Sequence, residues 1–123
     1  MKKIILDTNF ILTCAKQKID FLEWLETNGY EILIPSNVIE EIEKIIKSRK
    51  EIRFRDAARI SAILIKSHEV NFIDLKGKNV DNSIVNFAKQ NPDMLVATLD
   101  REIQGKIKNK KLIIRGKKKL EII

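Results

Sequence analysis

Cysteine, histidine, tryptophan and tyrosine each occur once in this chain of 123 residues, alongside two prolines and four glycines. A single cysteine excludes an internal disulfide and a cysteine-built zinc site. With so little proline and glycine, and no repeat, low-complexity tract or Gly/Ser linker, nothing marks a domain boundary. Long hydrophobic runs are missing too. The longest are four residues, Ala62 to Ile65 and Met94 to Ala97, where a membrane-spanning helix needs ~20. Met1-Lys2-Lys3 leads into only three apolar residues, too few for a secretory leader. The expectation is one soluble cytoplasmic domain over residues 1–123, large enough to bury roughly two-thirds of its unfolded surface.

What the chain has in excess is positive charge. Lys and Arg number 24 against 17 Asp and Glu, a net charge of +7. Nine basic residues and one acid, Glu102, lie between Arg101 and Lys119, and seven basic residues face two acids between Lys44 and Arg59. Such a balance steers a protein towards polyanions, of which nucleic acid is the commonest large one. Charge alone distinguishes neither DNA from RNA nor binding from chemistry.

Hydrophobic patterning alternates between strand-like and helix-like segments. Lys3 to Asp7, Tyr30 to Ile34, Val70 to Leu75, Met94 to Leu99 and Leu112 to Arg115 read as strands. Phe10 to Lys16, Asp20 to Thr27, the segment after Ser36, Ile52 to Ser67, Asp81 to Gln90 and Arg101 to Lys108 read as helices. Ser36 stands where an N-cap belongs, and Asn28-Gly29 is a stop signal. The helix from Ile52 has Phe54, Ala57, Ala58, Ser61, Ala62 and Ile65 as its inner stripe. This alternation predicts an α/β fold, a three-layer α/β/α sandwich around a mostly parallel five-stranded sheet. The first and fourth strands, being the most apolar, belong in its middle. The last residues, about 115–123, read as a loose basic tail. In such folds the working site lies beyond the carboxyl ends of the strands, where the strand order reverses.

Two aspartates occupy those ends: Asp7 closes the first strand and Asp100 the fourth. Either alone is accounted for as the cap of the helix behind it. Two further acids shift the balance. On the helix after Pro35, Val38, Ile39, Ile42, Ile45 and Ile46 form the apolar arc, Glu40 falls on the far side, and Glu41 and Glu43 flank the arc at either edge. Periodicity leaves those two undecided. Asp81 stands at the first turn of its helix, three and four residues before the inward Ile84 and Val85. Four carboxylates from four segments thus gather at one end of one sheet. Without cations they would repel one another and take up protons. Oxygen-only donors suit a hard divalent cation, magnesium or manganese. Such ions can activate water and stabilise the leaving oxygen in phosphodiester cleavage, while Lys and Arg hold the backbone.

With these residues laid out, the chain resembles the PIN-domain ribonucleases from about Lys3 to Glu121. The likeness rests on Ile5-Leu6-Asp7-Thr8-Asn9, on Pro35 to Lys44, on Val80-Asp81-Asn82-Ser83-Ile84, and on Val96-Ala97-Thr98-Leu99-Asp100-Arg101-Glu102. Glu41-Ile42-Glu43-Lys44, Val96-Ala97-Thr98 and the tail Arg115-Gly116-Lys117-Lys118-Lys119-Leu120-Glu121 look like the archaeal branch that processes ribosomal RNA. The resemblance implies that Glu41 takes the acidic position on its helix. It further implies that Asp7, Glu41, Asp81 and Asp100 hold Mg2+ or Mn2+, that Thr98 orients a carboxylate or a water, and that Asn9 supports Asp7. Arg101, Lys117, Lys118 and Lys119 would grip single-stranded RNA. One departure stands out: members often carry a second aspartate where this chain has Asn82.

The implied function is a metal-dependent endoribonuclease acting on precursor ribosomal RNA. A toxin ribonuclease paired with an antitoxin protein shares the fold and the carboxylates, and a non-catalytic RNA-binding scaffold belongs to the same family. A phosphoacceptor receiver domain needs a pair of acids after its first strand, which Asp7-Thr8-Asn9 does not supply. A homodimer is a further expectation, with the Ile-rich helices near the N-terminus supplying the surface. His68 reads as a helix-end residue, Cys14 as packed, and Phe21 and Trp24 as a staple between their helix and the core.

Overall fold

A computed structural model describes residues 2–77, 79–116 and 118–123. Among these the chain runs β1 (Lys2–Leu6), α1 (Thr8–Lys16), α2 (Phe21–Thr27), β2 (Tyr30–Pro35), α3 (Ser36–Ile46), α4 (Ile52–Lys66), β3 (Asn71–Ile73), α5 (Val80–Gln90), β4 (Leu95–Ala97), α6 (Arg101–Lys106), β5 (Lys111–Arg115) and β6 (Lys119–Ile122). The sheet order is β3-β2-β1-β4-β5-β6, parallel throughout except for β6. β1 and β4 are the two middle strands, as their unbroken apolar sequences require.

Side chains alternate between two cores because a strand turns successive residues to opposite faces. Ile4, Leu6, Ile32, Ile34, Leu95 and Ala97 pack with Phe10, Leu22, Val38, Ile42 and Ile65 from α1–α4. Ile5, Leu33 and Val96 pack with Ile84, Val85, Ala88 and Ile103 from α5 and α6. Both faces are covered, so the central strands read as continuous apolar runs rather than alternating ones. The inner stripe of α4 is as expected, with Ala57, Ala58, Ser61 and Ile65 buried. Phe10 and Phe21 meet edge to face at 6.1 Å. His68 closes α4, its Nδ1 2.8 Å from the Leu64 carbonyl oxygen.

Among the described residues the sheet has six strands, not five. The segment expected to be a loose tail turns at Gly116, whose φ of +64° favours a residue without a Cβ, and returns as β6. Arg115 pairs with Lys119, and Ile114 with Leu120. Leu120 packs against the larger core, while Arg115 Nε donates to Glu121 Oε2 at 2.7 Å on the exposed face. A lysine-rich sequence conceals this strand because only Leu120 is drawn inward. Ser36 is not the N-cap of α3. Pro35 takes that position with no side-chain hydrogen bond, and the Ser36 hydroxyl instead donates to the Ile73 carbonyl at 3.3 Å. On the N-terminal helices, Phe10, Ile11, Leu12, Phe21, Leu22 and Leu25 are spent on the core and offer no apolar surface to a second copy. Exposed isoleucines lie on α4, at Ile52, Ile60 and Ile63.

Candidate active site

The chain moves outward on one side of β1 through β2 and β3, then crosses to the other side with β4. The strand order therefore reverses between β1 and β4, and the carboxyl ends of those strands flank a natural crevice. Their ends are tied directly: the Asp7 backbone N–H donates to the Ala97 carbonyl at 3.1 Å.

Asp7 leaves β1 and caps α1. Its Oδ1 accepts the Thr8 N–H at 2.8 Å, and its Oδ2 accepts the Thr98 hydroxyl at 3.0 Å. Thr98 Oγ1 in turn accepts the Asp100 N–H at 3.1 Å. One fully buried hydroxyl thus fixes the first carboxylate against the backbone of the second, across 91 residues of sequence. Thr98 is itself held by Gln104, whose Nε2 donates to the Thr98 carbonyl at 2.9 Å. Asp100 caps α6, its Oδ1 accepting from Glu102 N–H at 2.8 Å and Ile103 N–H at 3.4 Å. Neither bond uses Oδ2. Capping therefore leaves the second carboxylate oxygen of Asp100 available to a ligand, whereas both oxygens of Asp7 accept hydrogen bonds.

Glu41 sits on α3 half-buried, whereas Glu40 and Glu43 are exposed. Asp81 lies in the first turn of α5 and is exposed; the cap there is Asn79, whose Oδ1 accepts the Asn82 N–H at 3.1 Å. A cavity of about 130 Å3 is lined by Asp81, Asp100, Glu102, Asn79, Asn82 and Lys106, over Val85 and Ile103. Glu102 and Asn79 were not singled out from the sequence. Glu102 stands two residues after Asp100, so the cap that Asp100 makes turns it into the same crevice.

The carboxylates perturb one another. Burial pushes Asp7 up from 3.8 to about 6, opposed by the Thr98 hydroxyl and the Thr8 N–H and reinforced by the negative charges of Asp81 and Glu41. Burial also raises Glu41, with Asp81 adding to the rise and the Thr8 hydroxyl and Lys44 opposing it. Asp81 is raised by partial burial, then by Asp100 and Glu102, against Lys106. Lys106 lies 3.4 Å from Glu102. Thr8 Oγ1 is buried beside Glu41 yet closes no hydrogen bond of standard geometry among the described residues. The site thus concentrates oxygen donors and negative charge, with one orphaned hydroxyl. Among the described residues, no three His, Cys, Asp or Glu side chains are drawn tightly enough together to hold a metal ion directly.

Of the other candidates, Asn9 is exposed, and the hydrogen bonds to Asp7 come from Thr8 and Thr98 instead. Arg101 is exposed in the first turn of α6. Lys118 and Lys119 are exposed where the β5–β6 hairpin turns, at the carboxyl end of β5 and so at the acidic end of the sheet. Lys117 lies outside the described residues.

Comparison with known proteins decides the family. The PIN-like domain profile matches residues 4–117. The chain belongs to the PIN-like domain family. Ribonuclease VapC4 of Methanocaldococcus jannaschii is 33% identical to it over 128 residues, covering 99% of this chain and 97% of the relative. The rRNA-processing protein fcf1 of Schizosaccharomyces pombe is 36% identical over 110 residues, covering 85% of this chain and 53% of that protein. The solved structure of the PIN domain endonuclease Utp24 matches this PIN-like domain with a TM-score of 0.75 at 30% identity, over 98% of this chain and 90% of that one. No helix among the described residues is long and apolar enough to cross a membrane.

Proposed function

We propose that this PIN-like domain is a Mg2+- or Mn2+-dependent endoribonuclease that hydrolyses phosphodiester bonds of precursor ribosomal RNA in the cytoplasm. The observation that carries the proposal is the bonded path from the Asp100 N–H through the Thr98 hydroxyl to Asp7 Oδ2. It spans the strand-order reversal and fixes the Asp7 carboxylate against the backbone of Asp100. Oxygen-only donors fit a hard divalent ion better than zinc or a soft metal. Asp7, Glu41, Asp81 and Asp100 would hold it with bound water completing the coordination, since no three of the described acids are close enough to do so alone. When bound, such an ion supplies an activated water and a countercharge for the leaving oxygen.

The remaining work belongs to the chain's own residues. Thr98 holds Asp7 in its ionised form by donating to it, and Gln104 holds Thr98. Lys106 tempers the charge of Glu102 at the crevice mouth. Arg101, Lys117, Lys118 and Lys119 attract the RNA backbone towards the acidic end of the sheet. Asn82 brings a neutral side chain to the crevice where a carboxylate would add charge, which lowers its affinity for a second ion.

The test is cleavage of a labelled precursor-rRNA fragment with Mn2+, Mg2+ or EDTA, beside Asp7→Asn and Asp100→Asn. Discrete metal-dependent products that vanish in both variants are the expected result. RNA binding without cleavage, unchanged in both, would leave a binding scaffold. A second reading is favoured by the near-complete coverage of VapC4, namely a toxin ribonuclease held by an antitoxin protein. Growth arrest on expression, relieved by the product of an adjacent small gene, distinguishes it.

A further inference from the structure

The far end of the sheet carries the opposite charge. Two adjoining cavities of about 550 and 590 Å3 open at the amino ends of β1, β2 and β4 and share Lys2, Pro92 and Asp93. Lys3 lines the first; Lys108, Lys110 and Tyr30 line the second. Four lysines therefore surround one acid. None of the four makes an ion pair among the described residues.

These lysines are held in position. Between α6 and β5 the chain leaves the helix at an extended Ile107 and bends at Asn109, with Ile107 and Asn109 buried and Lys108 and Lys110 exposed. Asn109 Nδ2 donates to the Asn91 carbonyl at 2.8 Å and the Met94 carbonyl at 2.9 Å. The Lys110 carbonyl accepts the Val96 N–H at 3.1 Å. A buried amide thus clamps the two flanking lysines to the Asn91–Met94 turn that lines both cavities. Lys2 is fixed by its register opposite Tyr30, with its Nζ 5.8 Å from the ring centroid. That ring stacks in turn on Trp24, at 6.4 Å and 13°. Loose surface lysines lose side-chain entropy on binding and attract diffusely; lysines on an anchored backbone present charge at fixed spacing.

We propose that this face is a second RNA-binding site, in which Lys2, Lys3, Lys108 and Lys110 take the phosphodiester backbone of a strand whose other part lies in the acidic crevice. The inference takes its ligand from the function proposed above but does not depend on cleavage. β1 spans five residues, or roughly 16 Å, so the two ends are served by different stretches of one strand. An RNA of ~4 nucleotides fills the crevice alone, whereas one of ~20 reaches both ends.

Lys108→Glu/Lys110→Glu is compared with Lys47→Glu/Lys66→Glu, an equal charge change at the exposed C-cap of α3 and the exposed last residue of α4. Fluorescence anisotropy in EDTA reads the affinity of a ~20-nucleotide labelled RNA over a salt series. The Lys108/Lys110 variant should bind about tenfold more weakly at ~0.1 M salt, with the log–log salt slope reduced by about 1.4 for two lost phosphate contacts. The control pair should lose less than about threefold, as screened charges do. Cleavage of the ~4-nucleotide RNA should be unchanged. Wild-type affinity and slope in the Lys108/Lys110 variant, or a loss no larger than the control's, would overturn the inference. Should thermal melting show that the Glu pair misfolds, Lys108→Gln/Lys110→Gln carries the same decision with half the charge change. If no RNA is cut by the wild type, the nuclease proposal fails while the anisotropy result still stands.

Discussion

Replacing Asp7 by Asn should make the metal-free protein more stable while abolishing its activity. Asp7 is only 5% exposed, and its displacement from 3.8 to about 6 makes the ionised form roughly 3 kcal/mol dearer in the folded state than in the unfolded one. Asn removes that charge and caps a helix as well as Asp does. Its side-chain oxygen can accept either the Thr8 N–H or the Thr98 hydroxyl, so one charge-assisted bond is forfeited, worth about 2 kcal/mol. The net gain is ~1 kcal/mol at pH 8, or roughly 4 °C in Tm for a chain of this size. The sign of the pH dependence follows from the raised pKa. Stability from protonated Asp7 is full below pH 3.8 and is lost as pH rises through about 6. The advantage of Asp7→Asn should therefore open between those values and be absent at pH 3.5. Differential scanning calorimetry in EDTA across that range measures it. Adding millimolar Mn2+ should raise the wild-type Tm by mass action and close the gap. An Asp7→Asn protein that melts at or below the wild type at pH 8 would refute the argument that burial and neighbouring carboxylates strain this group.

Thr98→Val keeps the shape but removes the hydroxyl that stabilises ionised Asp7; the pH at which cleavage sets in should rise, read from kcat/KM against pH, and an unmoved profile would sink the role given to Thr98. Asp100→Asn should melt within about 0.5 kcal/mol of wild type because Asn also caps α6, whereas Asp100→Ala should lose ~1 kcal/mol; both should be inactive, and urea unfolding beside the cleavage assay separates cap from chemistry. Gly116→Ala should cost roughly 1–2 kcal/mol in the urea midpoint, because φ of +64° is strained for any residue with a Cβ. An equal midpoint would mean that the β5–β6 turn relaxes.

Much of this architecture is written locally. β1 and β4 are legible as central strands because burial on both faces leaves no polar positions in Ile4-Ile5-Leu6 or Leu95-Val96-Ala97. Asp7 and Asp100 are legible because each stands at the border of such a run. Glu41 and Glu43 could not be separated by periodicity, since both flank the apolar arc; only the packing of α3 leaves one half-buried and the other exposed. β6 was illegible for a different reason. Its pairing is set by a turn and by β5, and its sequence is that of a solvated basic tail apart from Leu120. Glu102 and Asn79 enter the crevice only because α5 and α6 pack through Val85 and Ile103, a long-range fact that no window of sequence contains. The basic face at the amino ends is divided in the same way among Lys2, Lys3 and residues 108–110, more than a hundred positions apart.

The hydroxyl joining Asp7 to Asp100 also sets a schedule. The first carboxylate is made well before the second, and the hydrogen bond that links it to the second segment cannot form until β4 has entered the sheet beside β1. A nascent chain that stops short of β4 contains Asp7, Glu41 and Asp81 but has no Thr98 to orient the first of them. Its middle strand would also stand as an open edge. The crevice therefore comes into being when β4 joins the sheet rather than growing with the chain.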